Sequence, residues 1–61
     1  MYRVEDKPTT ESGARLIHRG PDFGQAGRIA LDHAFEQGKP AVVIDENTGQ
    51  HWTASESGGF R

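Results

Sequence analysis

The segment from Pro21 to Pro40 constrains this chain most strongly, because it carries the start signal, the periodic interior and the stop signal of one helix. Asp22 is placed to act as the N-cap, where its carboxylate accepts a hydrogen bond from an N–H group of the first turn. Gly38 can adopt the left-handed conformation that ends many helices, and Pro40 prevents the helix from resuming. These signals predict one helix over residues 23–37.

One face of this helix is built mainly from small residues. It comprises Phe23, Ala26, Gly27, Ala30 and Ala34, with Ile29, Leu31 and Phe35 at its flanks. An apolar face of this width predicts burial. Its small central residues predict that the helix sits close to a sheet.

Short strands are predicted on both sides of the helix. Alternating or β-branched apolar residues indicate strands over residues 2–5, 14–18, 41–44 and 51–54, and residues 6–13 have the composition of a loop. The order β-β-α-β-β predicts an α+β fold, in which a small antiparallel sheet carries one helix on one face. Residues 1–55 would form this single domain, and residues 56–61 are expected to form a flexible C-terminal tail.

The octet Asp45–Trp52, D-E-N-T-G-Q-H-W, predicts a tight hairpin between the last two strands. Gly49 suits the left-handed position that follows a type I turn. In the register that this turn implies, Val42, Ile44 and Trp52 would face the helix. The same register would expose the other face of the hairpin, with Asp45 opposite His51 and Val43 opposite Thr53.

The length of the chain limits its chemistry. Sixty-one residues allow one thin core and leave little room for a pocket of the roughly 300–1,000 Å³ that binds small molecules. We therefore expect no enzymatic activity, and no cofactor is predicted. The chain has no cysteine and its three histidines lie in separate elements, so no metal site is predicted either.

Charge and hydropathy bear on location and partners. The longest apolar run, Ala41–Ile44, is far shorter than the ~20 residues of a membrane helix, and the first residues lack the apolar run of a signal peptide. These features predict a cytoplasmic protein that does not enter a membrane. The formal net charge of −2 supplies no overall field that would attract nucleic acid.

With these classes disfavoured, we expect a small non-catalytic protein that acts through a protein–protein interface, as an accessory protein, an inhibitor or a regulator. The residues predicted to contact the partner are Arg15, Ile17, Arg19, Val43, Asp45 and His51. If Leu16 faces the core, an exposed Ile17 lies between two cations, which is a composition typical of protein contacts. A solvated strand face explains the same residues equally well. Because the core is thin, a homodimer would bury further apolar surface.

A second hypothesis is the binding of nucleic acid or another anion. Its residues are the basic cluster Arg15, His18, Arg19 and Arg28. Few aromatic residues lie near this cluster to stack on bases, which makes it the second choice. A weaker hypothesis assigns hydrolysis to Asp45 and His51. A surface ion pair explains those two residues more simply, since no serine lies close enough to His51 in the predicted strands.

Overall fold

A helix packed on one face of a four-stranded antiparallel sheet makes up the computed structural model, which describes residues 1–6 and 15–61. The elements are β1 (Tyr2–Asp6), β2 (Arg15–Gly20), α1 (Phe23–Gln37), β3 (Ala41–Asp45) and β4 (His51–Ala54), and the strand order is β2-β1-β3-β4. The predicted fold class is confirmed. Asp6, predicted to begin a loop over residues 6–13, is instead the last residue of β1. The rest of that predicted loop and the predicted start of the second strand at Ala14 lie outside the described residues.

Both ends of α1 are capped as the sequence predicts. The N–H of Gly24 donates to the Asp22 carboxylate at 3.0 Å, which places Asp22 as the N-cap. Gly38 has a φ of 68° and its N–H donates to the Ala34 carbonyl at 2.9 Å. A side chain at this φ would be strained, so glycine is suited to the position.

The core lies between α1 and the two central strands. Val4 on β1 and Val43 on β3 are fully buried beneath the helix, and Ala26, Ala30 and Ala34 on the helix are equally inaccessible. Because an alanine side chain ends at Cβ, the helix backbone approaches the strands closely and the two valines fill the remaining space. The predicted small-residue face is therefore confirmed at its centre.

The flank of that face differs from the prediction at Phe35. Ile29 and Leu31 pack partly against the core, but Phe35 is 77% exposed. Phe35 directly follows the buried Ala34, and one helical step of about 100° turns its ring to the outer side of α1.

An aromatic cluster closes the core beside the start of α1. The ring of Phe23 lies 5.2 Å from that of Tyr2, 4.7 Å from that of Trp52 and 6.0 Å from that of Phe60, measured between ring centroids. The Phe60 ring also covers the buried Gly27. Tilted and edge-on aromatic pairs of this kind stabilise a fold beyond the area that they bury.

The last residues return along β4. Ala54 forms a bridge with Phe60, and Thr53 and Arg61 exchange backbone hydrogen bonds of 2.6 and 3.0 Å. The outer edge of β4 is therefore partly paired. The sequence does not predict this pairing, and the flexibility expected for residues 56–61 stays a prediction.

The β3–β4 hairpin forms, but its register differs from the prediction by one residue. Gly49 has the expected positive φ, at 78°. Its N–H donates to the Asp45 carbonyl, and the Asp45 N–H donates to the Gln50 carbonyl, both at 2.8 Å. The loop therefore spans the four residues 46–49, whereas the predicted turn leaves three residues between the paired positions.

The longer loop reverses the two faces of β3. Trp52 still faces the helix but lies opposite Val43, while Val42 and Ile44 point away from α1. The predicted exposure of Val43 is wrong, because one extra loop residue moves every side chain of a strand to its other face.

A β-bulge changes the facing of β2. Val4 lies opposite His18 and Glu5 opposite Leu16, so Ile17 is an extra residue in the pairing. Leu16 is 54% exposed, while Ile17 packs against the core. The predicted facing of both residues is wrong, since a bulge interrupts the alternation of a strand.

Candidate interaction surface

One face of the sheet carries α1, and no described element covers the other face, which we call the open face. Along each strand, the side chains that alternate with those buried beneath α1 point to the open face. They form two rows across the four strands: Arg19, Arg3, Ile44 and His51 in the first row, and Leu16, Glu5, Val42 and Thr53 in the second.

Four charged side chains form a connected network on the open face. Arg19 donates two hydrogen bonds to Glu46, from Nε to Oε2 at 2.7 Å and from Nη2 to Oε1 at 2.8 Å. The Nε of Arg3 lies 3.1 Å from Oε2 of Glu5, and its Nη1 lies 3.9 Å from Oε2 of Glu46. Two arginines and two glutamates give this network no net charge.

The pair of Arg19 and Glu46 joins the edge strand β2 to the β3–β4 loop. Its hydrogen bonds raise the pKa of Arg19. The hydrogen bond from Arg19 lowers the pKa of Glu46; burial opposes this, and the charges of Arg19, Arg3 and the N-terminus add to it. Water reaches this pair, so it adds little to stability. Its effect is to neutralise Arg19 and to hold the loop beside the sheet.

Apolar side chains lie beside the network. Leu16 is 54% exposed, and Val42 and Ile44 are half-buried. All five aromatic residues fall in the described part of the chain, and none lies on the open face: four form the cluster beside the start of α1, and Phe35 lies on the outer side of α1. Apolar side chains bordered by charges of both signs are typical of protein–protein contacts.

Of the β2 residues predicted to contact a partner, only Arg19 lies on the open face. The bulge places Ile17 against the core and moves Arg15 to the position opposite Asp6, on the helix side of the sheet. The common face predicted for the three residues is therefore wrong. Leu16 takes the exposed apolar position instead. The adjacent pair Leu16-Ile17, which strict alternation cannot accommodate, is the sequence signal for this change.

The predicted pair of Asp45 and His51 does not form. His51 lies opposite Ile44 on the open face, whereas Asp45 lies opposite Tyr2 on the helix side. The Asp45 Oδ1 instead accepts a hydrogen bond from the Asn47 N–H at 2.9 Å, a contact typical of turns. The hydrolytic hypothesis loses the geometry on which it depended.

The residues of the anion-binding hypothesis are spread over different surfaces. Arg19 is held by the ion pair on the open face, and His18 is half-buried on the helix side. Arg28 lies on the outer side of α1, in a shallow hollow that also contains Asp22 and Asp32. The described structure therefore does not gather these cations into one positive patch.

A charged cluster that the sequence did not reveal lies at the end of β1. Asp6 is 9% exposed, and its carboxylate lies 3.4 Å from His33 Nε2 and 3.2 Å from Lys39 Nζ. Burial raises the pKa of Asp6, but hydrogen bonds and charge interactions with Lys39 and then His33 outweigh it, so that the pKa is lowered overall. The cluster ties β1 to the helix and to the segment that follows it.

Asp6→Asn is expected to destabilise the protein by about 1 kcal/mol at neutral pH, because it removes the carboxylate that Lys39 and His33 face. Since the folded-state pKa of Asp6 lies below 3.8, its stabilisation is fully present above that pH and is lost as the pH falls through the folded-state value. Urea unfolding at neutral pH and at about pH 2 measures both effects. The difference between wild type and Asp6→Asn should shrink in acid. Asp32→Asn, on an exposed helix position, is the control. An equal difference at both pH values would contradict the assignment.

Another shallow hollow lies between β4 and the C-terminal segment. It is lined by Thr53, Ser55, Ser57, Gly59 and Arg61. The Ser55 Oγ accepts a hydrogen bond from the Gly59 N–H at 2.9 Å and lies 3.0 Å from the Ser57 Oγ. These hydroxyls are engaged in holding the turn, and the lining includes no histidine that could activate one of them.

Within residues 1–6 and 15–61, no three His, Asp or Glu side chains are grouped so that they could hold a metal ion. In the same residues no helix has the length and apolar character needed to cross a membrane. Comparison with protein-family models, curated proteins and solved structures gives no match.

Proposed function

We propose that this chain is a small non-catalytic protein that acts by binding another protein through the open face of its sheet. The observation that supports this most directly is that Leu16 on β2 is 54% exposed and that Val42 and Ile44 on β3 are half-buried. Arg3 and Glu5 on β1 lie between them, within a charge network that has no net charge. A partner surface with apolar side chains and charges of both signs would complement it.

A protein suits this surface better than a nucleic acid does. Nucleic acid binding draws on unpaired cations and, for single strands, on aromatic side chains that stack with bases. Arg19 is already bound to Glu46, and the open face carries no aromatic residue. Anion binding by Arg15, His18, Arg19 and Arg28 stays a prediction. A salt titration tests it, because affinity for a polyanion must fall as salt rises.

Leu16→Lys is expected to weaken partner binding by about tenfold or more, which corresponds to about 1.4 kcal/mol. Phe35→Lys is the matched control, since it makes the same kind of change at an exposed apolar residue on the outer side of α1. Proteins captured from a lysate by wild type would be purified, and their affinities for wild type, Leu16→Lys and Phe35→Lys measured by titration.

The comparison of the two variants decides the proposal. A partner that binds wild type and Phe35→Lys alike, and Leu16→Lys far more weakly, supports the open face. Binding that is unchanged by Leu16→Lys, binding lost only in Phe35→Lys, or the absence of any captured protein that binds after purification would contradict it. Circular dichroism confirms that both variants are folded.

A further inference from the structure

We propose that the occupant of the open face is a second copy of this chain, in a two-fold dimer whose sheets pack face to face with both helices outside. This inference rests on the proposed function, because it names the protein that the open face binds. Its basis is that the charges and apolar side chains of the open face complement themselves under one particular rotation.

The two central strands carry the matching residues. On β1 the open-face residues are Arg3 and Glu5, and on β3 they are Ile44 and Val42. Consider a two-fold axis that runs across the strands, midway between the two rows. It places each residue of one row opposite the residue of the other row that lies on the same strand of the second copy. Arg3 then lies opposite Glu5 of the second copy, and Ile44 lies opposite Val42 of the second copy. Every contact occurs twice, as two-fold symmetry requires.

The outer strands fit the same arrangement. On β2, Arg19 lies opposite Leu16 of the second copy, so that the aliphatic part of the arginine covers an exposed leucine. On β4, His51 lies opposite Thr53 of the second copy. Sheets that pack in this way keep their strand directions within about 30° of each other, and the four central residues are displaced least by that rotation.

The other two-fold arrangement is unfavourable. An axis along the strands, between β1 and β3, would place Arg3 opposite Ile44 of the second copy and Glu5 opposite Val42 of the second copy. Each charge would then be buried against an apolar side chain with no new partner, which costs free energy. Complementarity therefore selects the axis that crosses the strands.

The size of the face predicts a weak dimer. Five-residue strands at about 3.4 Å per residue and four strands spaced about 4.8 Å apart give a face of roughly 320 Å² in plan. With side-chain relief, the total area buried would lie near the lower limit of about 1,000 Å² for specific interfaces. We expect dissociation in the micromolar range, with the apolar pairs supplying affinity and the charge pairs setting the register.

A charge-exchange experiment tests the arrangement. In Arg3→Glu both facing positions are acidic, and in Glu5→Arg both are basic, so each variant alone should dimerise at least about tenfold more weakly than wild type. Mixed together, the two variants place unlike charges opposite each other twice and should form a heterodimer. The double variant Arg3→Glu/Glu5→Arg should dimerise as wild type does. Sedimentation velocity from about 10 μM to about 1 mM, with one variant labelled in the mixture, measures wild type and these four samples.

Arg28→Glu and Asp32→Arg are the matched controls, because they make the same charge changes on the outer side of α1. They should leave self-association unchanged. A wild type that stays monomeric over the whole range overturns the inference, as does a wild-type dimer whose variants do not recover on mixing. Neither result changes the outcome expected when a different protein is captured through Leu16. Failure of the dimer proposal is therefore distinguishable from failure of the proposed function.

Discussion

Val43→Lys is expected to unfold the protein, whereas Val42→Lys, one residue away on the same strand, is expected to leave it folded. Val43 is fully buried beneath α1, and an ammonium group there would have no partner. That cost is several kcal/mol, comparable to the whole stability of about 3–9 kcal/mol expected for 61 residues. Val42 lies on the open face opposite Glu5, where a lysine gains a cross-strand ion pair.

Circular dichroism and thermal melting at low protein concentration measure this contrast. The two variants carry the same substitution on the same strand, so each controls for the other. The register predicted from the turn residues alone gives the opposite result, with Val42 buried and Val43 exposed. A folded Val43→Lys together with an unfolded Val42→Lys would show that the hairpin has that register.

The helix was predictable because its signals are local. Asp22 and Gly38 act at the ends of α1, and their roles depend on neighbours within four residues. The close packing of α1 was also predictable, since Ala26, Ala30 and Ala34 recur at helical spacing and have no other reason to lie on one face. Together with the four strand patterns, these features define the α+β fold class.

The register of the hairpin was harder to predict, because two loop lengths that give different registers are close in free energy. The sequence Glu46–Gly49 suits both a three-residue and a four-residue loop, because Gly49 takes a positive φ in either one. Two side-chain contacts hold the observed loop: Asp45 Oδ1 accepts from the Asn47 N–H, and Thr48 Oγ1 accepts from the Gln50 N–H at 3.2 Å. The identity of the turn residues does not reveal these two contacts, so the set of β3 side chains predicted to be exposed is inverted.

The candidate surface was only partly predictable. Arg19 and His51 were identified and do lie on the open face, but Leu16, Arg3 and Glu46 were missed. The bulge at Ile17 comes from the pairing of β1 with β2. The adjacent pair Leu16-Ile17 signals only that strict alternation fails there, and it does not tell which of the two residues is the extra one. The contact between Arg19 and Glu46 joins residues that are far apart in the chain, so only the fold brings them together.

The two faces of the sheet differ in how much apolar surface they leave exposed. The helix side is filled by alanines, two valines and the aromatic cluster. The open face leaves Leu16 exposed and pairs its own charges, which keeps an isolated chain compatible with water while leaving apolar area to bury. Such a surface suits reversible association, and it gives the protein–protein hypothesis a location that the sequence alone did not.

Ala30→Leu is the second large effect that we expect. Ala30 is fully buried where α1 crosses the sheet, so three added carbon atoms must displace the helix or the strands beneath it. Overpacking of this kind costs about 1–3 kcal/mol. In a domain of this size a loss of about 2 kcal/mol lowers the Tm by roughly 8–16 °C.

Gln25→Leu is the control, because it adds a leucine on the exposed side of the same helix and should change the free energy of unfolding by no more than about 0.5 kcal/mol. Thermal melts of the two variants beside wild type make the comparison. An Ala30→Leu variant as stable as wild type would mean that α1 is not held tightly against the sheet. The core would then have room for larger side chains, and its alanines would not be there for close approach. A marked loss confined to Ala30→Leu would show that the short distance between helix and sheet is what lets so few large apolar residues form a core.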